Sequence, residues 1–151
     1  MIKVTSYKSD NIHTYGLGAT VAMEYLLKNR DAVKGMILHP GFRSEETIAK
    51  IKDICGNDIP VSTEEKPFNI LSKKDNCFVI CVIEKKKARL NDGNHMVLVN
   101  PSNCGNLGTI VRSCLGFGVK DIAIVGKTAA DPFDPKTIRA SMGACASVRI
   151  E

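Results

Sequence analysis

The last third of the chain constrains the fold most, because short apolar runs alternate there with helical patterns. "MVLVN" (96–100) reads as a strand, residues 106–117 as a helix, "DIAIVG" (121–126) as a strand, "DPKTIRASMG" (134–143) as a helix and "ASVRI" (146–150) as the start of another strand. Strands joined through helices in one sheet run parallel with right-handed crossovers, and such a sheet meets ligands outside the carboxyl ends of its strands. The series therefore predicts a parallel α/β sheet. It also places the candidate site in "NPSNCGNLG" (100–108), between the first strand and its helix.

The first half alternates in a similar way. "LGATVAMEYLLKNR" carries a helical stripe at Val21, Ala22, Tyr25 and Leu26 and ends in Lys28 and Arg30, where cations suit the helix dipole. "VKGMILHP" reads as a buried strand stopped by Pro40, and "SEETIAKIKDICG" as a helix opened by Ser44 with an acidic first turn and stopped by Gly56. "IPV", a short helix near "PFNILSK", and the apolar run "CFVICVI" follow, the last typical of a strand covered on both faces. Composition then shifts to "EKKKARLNDGNH" (84–95), read as a linker with a turn at Asp92-Gly93. Two domains are expected, residues 1–90 and 91–151.

With 44% hydrophobic and 25% charged residues, the composition is globular and excludes disorder and fibres. The net charge of +5, from 21 basic against 16 acidic residues, suits a polyanionic partner without requiring one. No apolar run approaches the roughly 18 residues of a membrane helix, and the start of the chain lacks the apolar segment of a signal peptide. A cytoplasmic protein with no membrane partner is expected. Six cysteines without CxxC spacing read as reduced core thiols, and His13, His39 and His95 lack ligand spacing, so no metal is expected.

In the helix after the loop, Leu107, Ile110, Val111, Cys114 and Leu115 recur at three- and four-residue spacing, so that face packs on the sheet. Arg112 lies off it. Gly108 and Gly105 stand four and seven residues earlier on the arginine's own face, and helical side chains lean toward the amino terminus. The guanidinium is therefore expected to fold over a strip bare of Cβ atoms and point at the helix mouth. Free N–H groups and positive dipole there suit phosphate, and Asn106 can cap the helix or hydrogen-bond a substrate. Two readings stay open on residues alone: a phosphate site, or a simple turn and cap beneath a solvated arginine. The run Lys85, Lys86, Lys87 and Arg89 divides likewise between RNA contact and a solvated linker.

"NPSNCGNLGTIVRSCLGFGVKDIAIVG" together with "DPFDPKTIRASMGA" resembles the SpoU (TrmH-type) family of RNA ribose 2'-O-methyltransferases, of the knotted SPOUT class. Asn106, Gly108 and Arg112 match the N-x-G-x-x-x-R core of the family's motif 1. Lys136, Arg139, Ser141, Gly143 and Ala144 resemble the segment leading into motif 2. Upstream, the order of elements from "YGLGATV" to "CFVICVIEKKK" resembles an L30e-like substrate-binding domain. The resemblance implies an L30e-like α/β RNA-docking domain followed by the first half of a parallel-sheet SPOUT (α/β knot) methyltransferase domain. Asn100 stands where many members carry aspartate, and motifs 2 and 3, which form the knot that holds S-adenosylmethionine, would lie past Glu151.

The resemblance further implies an S-adenosylmethionine-dependent RNA 2'-O-methyltransferase acting on ribosomal or transfer RNA, ribosomal RNA being the first expectation, and a homodimer when complete. Its catalytic residues would be Arg112 and Asn106, and its RNA contacts Gly105, Gly108, Arg139, Lys85, Lys86, Lys87 and Arg89. The cofactor residues are expected beyond Glu151, so the 151-residue chain alone is expected to be inactive. The alternative is an RNA-binding protein without catalytic activity; a free-mononucleotide binder is a third reading.

Overall fold

A computed structural model describes residues 2–72 and 76–151. In chain order the elements are β1 (His13–Leu17), α1 (Ala19–Lys28), β2 (Val33–Leu38), α2 (Glu45–Cys55), β3 (Val61–Thr63), α3 (Lys66–Leu71), β4 (Val79–Glu84), β5 (Met96–Val99), α4 (Cys104–Gly116), β6 (Asp121–Val125), α5 (Pro135–Ala140) and β7 (Arg149–Ile150). Short 3₁₀ turns at Arg30–Ala32 and Ala144–Ser147 precede β2 and β7. Lys73, at the end of the stretch expected as a short helix, lies outside the described residues.

The first sheet has the order β1-β4-β2-β3, with β4 antiparallel to both its neighbours and β3 parallel to β2. β4 explains its own apolar run. Val79, Cys81 and Ile83 enter a core with α1 and α2, while Ile80 and Val82 enter a second core with Phe68 of α3 on the opposite face. A strand buried on both faces has no polar side to alternate with, hence the continuous pattern. β1 escapes a pattern reading because "HTYGL" mixes polar, aromatic and glycine residues, yet Thr14 to Leu17 are buried.

The second sheet is parallel, in the order β5-β6-β7. Its core forms where Leu107, Val111 and Cys114 of α4 meet Ile122 of β6 and Ala144. β5 lies at the edge and is far more open than its apolar sequence suggests, with Val97 51% and Val99 71% exposed. β6 and β7 are joined by the Asp121 carboxylate, which accepts from Arg149 Nε at 2.6 Å and Nη2 at 2.7 Å. That pairing holds the Asp121 carboxyl down at about 2.

The halves meet through α5 and the turn behind it. Ile138 and Ala146 are buried in the α1/α2 core of the first sheet, and Cys145 touches the cores of both halves. Gly143, at φ 86°, lies so close to α1 that an added Cβ would sit 2.7 Å from Glu24 Cβ. Thr14 Oγ1 of β1 donates to the Phe133 carbonyl, and Tyr7 donates its phenol proton to Asp131. Burial and the Asp131 bond push the Tyr7 phenol upward. The segment 84–95, expected as a linker, is itself fastened: the Leu90 and Asn91 amides donate to Glu151 and Asp121.

Candidate functional site

The site at the carboxyl ends of β5 and β6 is built on backbone geometry. Asn100 closes β5 in the left-handed region at φ 48°, a conformation that Asn accepts better than most residues. Its amide donates to the Val125 carbonyl at 2.7 Å. Three residues on, Asn103 caps α4, its Oδ1 accepting from the Asn106 amide at 2.9 Å. The helix thus begins at Cys104, two residues before the sequence pattern places it. The cap is Asn103 and not Asn106, whose backbone amide is the capped group and whose exposed side chain is left for other partners.

Arg112 is exposed on α4, on the side away from Leu107, Val111 and Cys114. The two glycines do not make the bare strip expected beneath it. Gly108 is buried against α5: an added Cβ would stand 2.4 Å from the Thr137 carbonyl oxygen, 2.7 Å from Ala140 Cβ and 2.8 Å from the Ser141 amide. Its missing side chain lets two helices touch, so it offers RNA no surface. Gly105 is exposed at the helix mouth, where a Cβ would approach Asn103 Oδ1 at 3.1 Å. Of the motif 1 residues, Asn106 and Arg112 face solvent and Gly108 faces α5.

The remaining expected contacts separate. Lys85 is half-buried: Nζ donates to the Ser9 carbonyl at 2.7 Å and stands 5.3 Å from the Tyr7 ring centre and 5.9 Å from that of Phe133. It fastens the two halves and is not free for RNA. Lys86, Lys87 and Arg89 are exposed, and Lys86 and Lys87 border a cleft of about 400 Å³ between the sheets together with Lys28 and Phe133. Arg139 is half-buried and reaches Asn76 of the first half at 3.4 Å. Ser141 is buried, donating to the Ile138 carbonyl at 2.7 Å and accepting from the Cys145 amide. It is a bracket inside the α5 turn.

Around the site, Arg112, Lys127, Lys136 and Arg139 form no ion pair among the described residues. The acids interspersed with them are engaged elsewhere: Asp131 accepts from Tyr7 and the Phe133 amide, and Asp134 caps α5 through the Lys136 amide at 2.8 Å. Arg112, Lys127 and Lys136 are exposed, whereas Arg139 is half-buried against Asn76, and exposed cations without an ion-pair partner suit an anion.

The family comparison falls on this same segment. Residues 93–151 match the model of the SpoU rRNA Methylase family. The SpoU segment and what precedes it also resemble solved structures as a whole. The rRNA methyltransferase from Sinorhizobium meliloti matches with a TM-score of 0.72 and 20% identity, covering 92% of this chain and 54% of that one. The SpoU methyltransferase AviRb from Streptomyces viridochromogenes, in complex with AdoMet, matches with a TM-score of 0.74 and 18% identity, covering 92% and 54%. An RNA 2'-O ribose methyltransferase matches with a TM-score of 0.65 and 21% identity over the same shares. The chain therefore shares their α/β fold and spans about half the length of each. No curated protein matches it.

No residue described here is assigned to S-adenosylmethionine. The buried polar side chains Thr14, Asp121, Thr137 and Ser141 all find partners within the protein, and among the described residues no buried side-chain polar atom is left unpaired and aimed at a ligand. Nor do the described residues group three or more His, Cys, Asp or Glu side chains to hold a metal. None of the described helices is long and apolar enough to cross a membrane.

Proposed function

We propose that this chain carries the RNA-facing part of an S-adenosylmethionine-dependent RNA ribose 2'-O-methyltransferase, with ribosomal RNA as substrate and Arg112 and Asn106 at the reacting ribose. The observation that carries the proposal is Arg112 itself, exposed and without an ion pair among the described residues, about two turns into the first helix of the segment that matches the SpoU model. A ribose hydroxyl is a poor nucleophile at neutral pH, whereas the cofactor, when bound, supplies an already activated methyl. The protein's task is then alignment, and stabilisation of the alkoxide as it develops.

Arginine does not serve as a general base, because it holds its proton at any working pH. Its guanidinium instead clamps the neighbouring phosphate through a bidentate pair and lowers the hydroxyl's pKa electrostatically. Asn106, six residues earlier on α4, orients the ribose. Gly105, Lys86, Lys87, Arg89 and Arg139 complete the RNA surface, while Gly108 acts from beneath by seating α5. The working enzyme is proposed to be a cytoplasmic homodimer, and the 151 residues alone are proposed to bind RNA without binding the cofactor.

The test is methyl transfer to RNA by the enzyme whose reading frame contains these residues. Arg112→Ala should abolish transfer while cofactor affinity stays normal, and Arg112→Lys should not restore it, since a point charge cannot reproduce a bidentate fork. Turnover at the wild-type rate by the alanine variant would refute the assignment.

A further inference from the structure

The loop after β6 is held to the loop after β5 by an unusual set of contacts. Asn100 Oδ1 accepts from the Thr128 amide at 3.2 Å, and the Pro101 carbonyl accepts from the Ala130 amide at 2.7 Å. Between them Gly126, at φ 116°, passes directly beneath the Asn100 side chain, where an added Cβ would fall 1.9 Å from Oδ1. Beyond Ala130 the same loop is fixed by Asp131, which accepts from Tyr7, and by its own carbonyl, which accepts from Thr137 Oγ1 at 2.9 Å. A surface loop of this kind is ordinarily mobile; this one is anchored at nearly every other residue.

One side chain stands out from it. Lys127 lies between the anchored Gly126 and Thr128, is exposed, and forms no ion pair or hydrogen bond among the described residues. It projects from the carboxyl end of β6, the same sheet edge from which the capped mouth of α4 opens. A flexible lysine on a mobile loop gives up backbone and side-chain freedom when it grips a ligand, whereas on a fixed backbone only the side chain is ordered.

We propose that Lys127 is a phosphate contact of the RNA site, and that Asn100 is the positioning residue that holds it there by pinning Gly126 and Thr128. This rests on the RNA reading above and adds to the site a second element at the carboxyl ends of β5 and β6, beside the loop that leads into α4. It also gives Asn100 a role that depends on its carbonyl oxygen and left-handed backbone, not on a negative charge.

The test is fluorescence anisotropy of a labelled RNA stem-loop titrated with the 151-residue chain over a range of KCl concentrations. Lys127→Gln should weaken binding and reduce the slope of log affinity against log salt by about 0.7–0.9, the contribution of one phosphate contact. Asn100→Gly accepts the left-handed backbone but deletes the acceptor. It should speed hydrogen exchange at the Thr128 amide, weaken RNA binding, and make a subsequent Lys127→Gln change smaller than in the unsubstituted chain. An unchanged salt slope in Lys127→Gln overturns the contact, and strict additivity of the two substitutions overturns the positioning role of Asn100. If the unsubstituted chain binds no RNA, the functional reading fails and this proposal with it.

Discussion

Gly108→Ala separates a packing role for the motif 1 glycine from a surface role. In an ordinary exposed helix interior the change would stabilise by about 1 kcal/mol, because glycine is the poorest helix former after proline. Here the new methyl would lie 2.4 Å from the Thr137 carbonyl oxygen, about 1.0 Å inside the nearest ordinary carbon contact of 3.4 Å, with Ala140 Cβ and the Ser141 amide also inside 3.0 Å. Two of these three atoms are backbone, so relief requires α5 to move as a body. Overpacking a tight contact costs about 1–3 kcal/mol, and three simultaneous violations argue for the upper end. Subtracting the propensity gain leaves a loss of about 2 kcal/mol, or about 4–8 °C in Tm for a chain of this size. Thermal unfolding followed by circular dichroism reads it directly, with Gly116→Ala as control, since a Cβ there meets nothing within 4 Å. A Gly108→Ala protein as stable as its parent, or more so, would show that α4 and α5 are not in the contact described.

Two further outcomes concern stability. Asp121→Asn should lower Tm at neutral pH; because Arg149 depresses the carboxyl of Asp121 in the folded state to about 2, its contribution is complete above the ordinary carboxylate pKa near 3.9 and disappears as pH falls toward 2. The Tm difference between the two proteins should therefore be constant above about pH 5 and shrink below pH 4, and a gap that persists at pH 2 would refute the ion pair as its source. Ile138→Ala should cost about 2–5 kcal/mol and, although the residue lies in the second half, should lower hydrogen-exchange protection in β4 of the first sheet; a loss confined to β5–β7 would contradict the shared core.

Much of the fold was legible because it is written in period. The stripe of α1, the acidic start and Gly56 stop of α2, and the unbroken apolar run of β4 each answer to one dominant force, burial of a regular face. β1 was not legible, since its burial comes from partners distant in sequence: Thr14 is bonded to Phe133 and Tyr15 is buried with Ile80 and Phe68. In the site, the position of Arg112 off the packed face followed from spacing, but the purpose of Gly108 did not. A glycine in a helix looks the same in sequence whether it clears space for a side chain or for another helix, and only the crossing of α5 decides. The cap was misplaced for a related reason. The loop contains three asparagines, each chemically able to cap, and the left-handed turn at Asn100 sets which of them comes to lie at the helix mouth. The anchoring of Gly126 under Asn100 had no local signal, because the two residues stand at the ends of strands that only the sheet brings together.

The α5 segment has a consequence for anyone wishing to rebuild this protein. The charged stretch at 84–95 looks like the natural place to cut and graft one amino-terminal half in place of another. Mechanically the seam lies elsewhere. Ile138 and Ala146 belong to the interior of the half that precedes the linker, and Gly143 fits against α1 closely enough to refuse a methyl group. A chimera joined at residue 90 would leave a socket in one parent and an unmatched plug in the other. Successful exchange requires the facing positions of α1 and β1 to be recut to the incoming partner, because α5 is seated on Gly108 of α4 as well as in the amino-terminal half and cannot travel with either alone.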